Sequence, residues 1–154
     1  MKFITITLLA VLISLNGYSQ SSHGIGIELV NGPNDDFQLG LRYEYNFSNL
    51  HGAKLAFSYG GSLGLNTTVG YQYKAIDFPN FRFITGLDYT VNGTAEDIAT
   101  RAAGDFISIP LESRFRAYKN IWLNIGLSPA IVLNNQSENK FGIKNIRLGA
   151  VINF

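Results

Sequence analysis

The chain has 154 residues, a formal net charge of +1 and only 15% charged residues, so it lacks both the basic excess of a nucleic-acid binder and the acidic excess of a solvated tail. It contains no cysteine, which excludes disulfide frameworks, thiolate nucleophiles, sulfur-ligated metals and a lipid-modified N-terminal cysteine together. Aromatics at 13%, with 16 glycines and 4 prolines, suit short strands and tight turns better than helices.

Residues 1–19 carry one positive charge at Lys2, an apolar run from Phe3 to Leu15, and the small residues Gly17 and Ser19 around Tyr18. This is the pattern of a secretory signal peptide over 1–19, with cleavage after Ser19 leaving Gln20 as the first residue of a mature domain, 20–154. The apolar run falls short of the roughly 20 residues a spanning helix needs. No other segment approaches a spanning helix, so a membrane location has to come from strands.

The mature chain then alternates. Ile25, Ile27 and Leu29 oppose Gly24, Gly26 and Glu28, and Asn31 to Asp36 is a turn cluster. In the second predicted strand Phe37, Leu39, Leu41, Tyr43, Tyr45 and Phe47 alternate with Gln38, Gly40, Arg42, Glu44 and Asn46, so a one-residue slip would exchange its faces completely. Ser48 to Gly52 turns into a third strand with Ala53, Leu55, Phe57 and Tyr59 on one face. Gly60 and Gly61 form a tight reversal into a fourth, Leu63 to Lys74. Ala75 to Asn80, with Pro79, turns the chain into a fifth, Phe81 to Val91, and Asn92 to Gly104 is the longest and most polar break. The sixth, Phe106 to Tyr118, contains Pro110, which cannot donate to a ladder and predicts a bulge or a gap in pairing. The seventh runs from Ile121 to Leu133, and Asn134 to Asn139 leads into the last strand, Lys140 to Phe154. There Ile146, Leu148, Ala150, Ile152 and Phe154 alternate with Asn145, Arg147, Gly149, Val151 and Asn153.

One face of these strands is apolar and the other holds Glu28, Arg42, Glu44, Asp88, Glu112, Arg114, Arg116 and Arg147, with Lys54, Lys74 and Arg82 expected nearer one rim. About eight strands of about 10 residues fit the length of a small transmembrane barrel. The predicted fold is all-β, a closed antiparallel up-and-down transmembrane β-barrel whose narrow interior is filled by its own side chains. Glu28, Arg42, Glu44, Glu112, Arg114 and Arg147 are expected to pair there as a structural polar network, with Glu28 between Arg42 and Arg147; bases outnumber acids in the wider set. With both ends of the mature chain periplasmic, short turns fall on that side and freer loops outside. Tyr45, Phe47, Tyr71, Tyr73, Phe81, Phe83, Phe115 and Phe154 then thread to the periplasmic ends as an aromatic girdle, while Phe37, Phe57, Tyr59 and Tyr89 thread to the other.

The alternating strands, the terminal Phe154 and the signal peptide resemble small eight-stranded outer-membrane barrels of the OmpX and OmpA-domain kind. Ile109-Pro110-Leu111, followed by Gly126-x-x-Pro129 in the next strand, is similar to the porin-family outer-membrane barrel domains of Gram-negative bacteria. The resemblance implies outer-membrane lipid as surroundings, insertion by the barrel-assembly machinery through the C-terminal strand, and no catalysis. The loop 92–104, with Glu96, Asp97 and Arg101, is the expected surface for an external partner. The histidines, His23 and His51, both thread to the periplasmic end, away from where surface lipid chemistry would need a base, and no cofactor, metal or nucleic-acid site is expected. Trp122 is expected to fill the lumen near the periplasmic rim. The alternatives are a lipid-modifying enzyme, a secreted soluble barrel carrying an apolar ligand, and a narrow pore.

Overall fold

The computed structural model describes residues 22–31, 37–60, 64–92, 105–133 and 141–154. The expected signal peptide 1–19, the expected turn residues 32–36, Gly61 and Leu63, the expected loop residues 93–104 and residues 134–140 lie outside the described residues. The strands are β1 (Ser22–Asn31), β2 (Phe37–Asn46), β3 (His51–Tyr59), β4 (Leu65–Phe78), β5 (Phe81–Asn92), β6 (Phe106–Ser108), β7 (Leu111–Tyr118), β8 (Ile121–Val132) and β9 (Phe141–Asn153).

All pairings are antiparallel; β1 to β5 pair in sequence order, β6 and β7 both lie between β5 and β8, β8 pairs with β9, and β9 pairs with β1, so the sheet closes on itself. Closure is completed at the ends of the chain by His23 N–H to the Phe154 carbonyl and Phe154 N–H to the His23 carbonyl, both at 2.9 Å. β6 and β7 are halves of one stave, which makes eight staves in all. The gap between them is Ile109 and Pro110, as the proline requires. It is not a bulge: Ser108 opposite Asp88 and Leu111 opposite Thr85 lie on one unbroken register. Ile109 N–H still reaches the Pro129 carbonyl at 2.9 Å, so the break costs the ladder a proline's missing donor and little else.

Two expected turns are shorter. β4 continues through Ala75 to Phe78, leaving Pro79 and Asn80 as the turn; the register shifts between Lys74 and Ile76, a bulge that breaks the alternation and made this stretch read as a loop. β3 begins at His51, inside the predicted turn. The expected Gly60–Gly61 reversal falls partly outside the described residues; Gly60 and Gly64, which flank residues 61–63, have φ of 142° and 66°, values that suit glycine.

One rim, here the near rim, carries Ser22, Phe154 and the turns after β2, β4 and β7. Registers fix the stagger of the staves. Gly86 connects through Gln72, Gly52 and Asn46 to Ser22, whereas its neighbour Thr85 connects the other way through Leu111, Leu127 and Ile146 to Asn31. The circuit therefore returns to β1 about ten residues along, the tilt a closed sheet of eight strands needs. Gly24→Cys with Asn153→Cys, directly opposed in the β1–β9 register, should form a disulfide on mild oxidation. Gly24→Cys with Gly149→Cys should not, as read by gel mobility with and without reductant.

Candidate functional site: the filled lumen and the aromatic rim

The pleat sends alternate side chains inward, and eight staves leave a bore only side chains wide. Four carboxylates and four cations meet in it: Glu28, Glu44, Asp88 and Glu112 with Arg42, Lys54, Arg114 and Arg147, all buried. Arg42 is central to the first group. Its Nη1 donates to Glu112 at 2.7 Å and reaches Glu28 at 3.5 Å, and its Nε lies 2.5 Å from Glu44. Arg114 grips both Glu44 oxygens, at 2.6 and 2.7 Å, and its Nε donates to Glu112 at 2.5 Å. Gln72 adds a donor to Glu44 at 3.2 Å. A planar guanidinium with fixed donors suits this bidentate role, which a lysine would not fill.

The second group is Lys54–Asp88–Arg147, with Asp88 accepting at 2.5 Å and 3.2 Å. Lys54 on β3 and Asp88 on β5 are separated by β4, where Gly70 lies opposite both. A Cβ at Gly70 would collide with the Asp88 carboxylate, so the glycine is what lets the pair meet. Above these ions the network turns neutral. Gln38 Oε1 accepts from Ser58 at 2.9 Å and Asn66 at 2.8 Å, and the Thr68 and Thr90 hydroxyls meet at 2.8 Å. A cavity of about 10 Å3 among Gln38, Thr68 and Arg147 is room for about one water.

Of the expected network, Glu28, Arg42, Glu44, Glu112 and Arg114 come together, while Arg147 does not join them. It leaves Glu28 to Arg42 and crosses to Asp88 instead. Lys54 is not at a rim; its side chain is fully buried in the bore. The paired charges balance, so the excess of bases lies outside this set. Arg116, expected inside, is exposed at the near rim, where the bulge between Arg116 and Tyr118 ends the regular alternation. Trp122, 1% exposed, fills the lumen there, with the Arg82 guanidinium 4.1 Å from its ring centroid and Arg116 at 4.8 Å.

The outer wall is the reverse: Ile27, Leu39, Leu41, Val69, Leu87, Leu123, Ile125 and Leu148 are all exposed. At the near rim the rings form a chain across five strands, Phe154–His23–Tyr45–Phe47–His51–Tyr73, with centroids 5.2 to 6.4 Å apart. Tyr71 flanks His51 at 5.9 Å, and Phe81 packs on Phe115 at 5.2 Å. Phe83 is half-buried beside them. Tyr45 has the outward parity expected but is only 8% exposed, because the His23 ring covers it. Phe37, Phe57, Tyr59 and Tyr89 stand exposed at the far rim.

Sequence reasoning missed the histidines as girdle members. His23 Nδ1 faces the Tyr43 hydroxyl at 2.7 Å and His51 Nδ1 faces the Tyr71 hydroxyl at 2.5 Å, each across a hairpin. The signal was legible: His23-Gly24 with Tyr43-x-Tyr45 recurs one hairpin later as His51-Gly52 with Tyr71-x-Tyr73.

A closed antiparallel ladder with paired ions inside and a mainly apolar wall outside defines a transmembrane β-barrel. In solved structures the fold is similar to a de novo designed transmembrane β-barrel, at 10% identity and a TM-score of 0.60 over 86% of this chain and 95% of that one. It is also similar to the N-terminal β-barrel domain of Pseudomonas aeruginosa OprF, at 16% identity and a TM-score of 0.61 over 86% of this chain and 97% of that one. No family model and no curated protein matches the sequence.

Glu44 is a carboxylate shared by Arg42 and Arg114, and the one that Arg114 grips through both oxygens. Glu44→Gln should lower stability by about 3–5 kcal/mol, because it leaves desolvated guanidinium charge without its partner. Urea unfolding in lipid vesicles measures this, and a loss below about 1 kcal/mol would mean that the charges are hydrated.

Proposed function

We propose that this chain is an integral outer-membrane β-barrel of a Gram-negative bacterium, of the porin-family or OmpX-like kind, with a structural or surface-interaction role and no catalytic activity. One observation carries the reading: polarity is inverted, with the ions inside and the aliphatic side chains outside. Such a wall is unfavourable in water and suited to hydrocarbon, and the ring chain at the near rim suits a lipid interface. The expected signal peptide supports export, which makes the near rim periplasmic and the far rim external.

The alternatives fit less well. A soluble carrier of apolar ligands needs an apolar interior, and the bore is occupied by charge. A lipid-modifying enzyme needs a histidine beside a serine or carboxylate, whereas His23 and His51 face tyrosine hydroxyls on the outer wall. A pore needs an open bore, and the Arg42–Glu112 pair crosses it. Outer-membrane lipid is thus the partner of the wall, and the strand ending at Phe154 is the signal offered to the barrel-assembly machinery. Loop 92–104 is the surface offered to an external partner.

Two measurements test this. In separated membranes the protein should be in the outer-membrane fraction and should run differently on gels boiled and unboiled, because a closed barrel without edges resists detergent. Soluble protein without a heat-dependent shift would refute it. In bilayers, Leu41→Arg on the middle of β2 should cost about 2–4 kcal/mol by urea unfolding, and a cost near zero would place that face out of lipid.

A further inference from the structure

The near rim opens inward into a cavity of about 300 Å3 lined by Ser22, Ser48, Asn49, Lys74, Asp77, Arg82 and Phe154. Lys74 differs from the other buried charges. It is 8% exposed, yet among the described residues its ammonium makes no ion pair and no hydrogen bond, although the four other buried cations all pair with carboxylates. The carboxylate in the cavity, Asp77, is taken by Arg82 Nε at 2.6 Å. Lys74 is therefore the lining cation that no carboxylate of the described residues holds in a contact ion pair.

The hydroxyls around it are held as donors. Ser48 Oγ accepts the N–H groups of Leu50 at 3.3 Å and His51 at 3.0 Å, and Ser22 Oγ accepts from Asn46 Nδ2 at 3.1 Å. A hydroxyl has one hydrogen and two lone pairs, so with the acceptor side engaged the hydrogen of each serine is left to donate. The cavity is thus lined by Lys74 from β4, Ser22 from β1, and Ser48 and Asn49 from the β2–β3 turn, residues that can donate from three directions. Three directions of donors around one positive charge match a tetrahedral oxyanion better than a flat carboxylate, and lysine is a common point-charge partner of phosphate.

We propose that this vestibule binds a phosphate group, either as inorganic phosphate or as the headgroup phosphate of a phospholipid, with Lys74 as the charge that holds it. The inference goes beyond the structural role above and does not depend on which compartment the near rim faces.

The test is calorimetric titration of the full-length barrel in maltoside micelles and phosphate-free buffer, with inorganic phosphate and, separately, glycerol phosphate. Binding should weaken with added salt, Lys74→Gln should weaken it about tenfold or more, and Lys74→Arg should retain it within about threefold. Because the Lys74 ammonium makes no contact ion pair or hydrogen bond among the described residues, its neutralisation should leave the boiled-against-unboiled gel shift intact, which certifies the fold of each variant. If Lys74→Gln fails to fold, the Lys74 15Nζ resonance of the wild-type protein serves instead and should move on phosphate addition. Equal binding of the two ligands supports free phosphate, and tighter glycerol phosphate supports a lipid headgroup. Absence of heat and of any Nζ shift, or equal affinity in folded Lys74→Gln, overturns the proposal.

Discussion

The rest of the structure depends on the closure of the β1–β9 ladder. Once β9 pairs with β1, each strand has two partners and the sheet has no edge, the condition a sheet must meet to stand in hydrocarbon. Closure also divides every strand into one inward and one outward set of side chains. The eight-stave bore is too narrow for bulk water, so charge placed inside has to be neutralised by other charge. Four carboxylates against four cations is the result, with Gln38, Asn66, Thr68 and Thr90 completing the polar filling. The lumen and the lipid-suited wall are two consequences of one pleat.

Backbone closure and side-chain packing lean on each other at small residues. Gly70 lets Lys54 and Asp88 meet across an intervening strand. Pro110 removes a donor from one stave without moving its register, so the stave breaks into β6 and β7 while both remain in the same wall. At the near rim the bulges at Ala75 and Ala117 end the regular alternation. Beyond them the rim gathers Arg82 and Arg116 over Trp122, with Asp77 holding Arg82.

The fold class and the facing of most residues were legible in the sequence because the period of a strand is two and each slip is penalised: Leu39, Leu41 and Tyr43 can only be outside if Gln38, Arg42 and Glu44 are inside. Bulges defeated the same logic locally, which is why Ala75 to Phe78 read as a turn. Partner choice was less legible. Adjacency placed Arg147 beside Glu28, but which levels meet across the bore depends on the stagger of the whole circuit, and that sums over every register at once. Lys54 was misplaced for the same reason. The covering of Tyr45 by His23 needed the β1–β2 register, although the recurring His-Gly and Tyr-x-Tyr spacing carried the hint.

The most direct measurement of the central claim, ions inside and lipid outside, is fluorescence quenching by brominated lipids. Trp122 is the single tryptophan of the chain and lies in the lumen. In vesicles its emission should be nearly unaffected by bromine on the acyl chains, while a tryptophan introduced on the wall by Leu41→Trp or Val69→Trp, in a Trp122→Phe background, should be strongly quenched. Strong quenching of Trp122 with none on the wall would contradict the account and turn the barrel inside out.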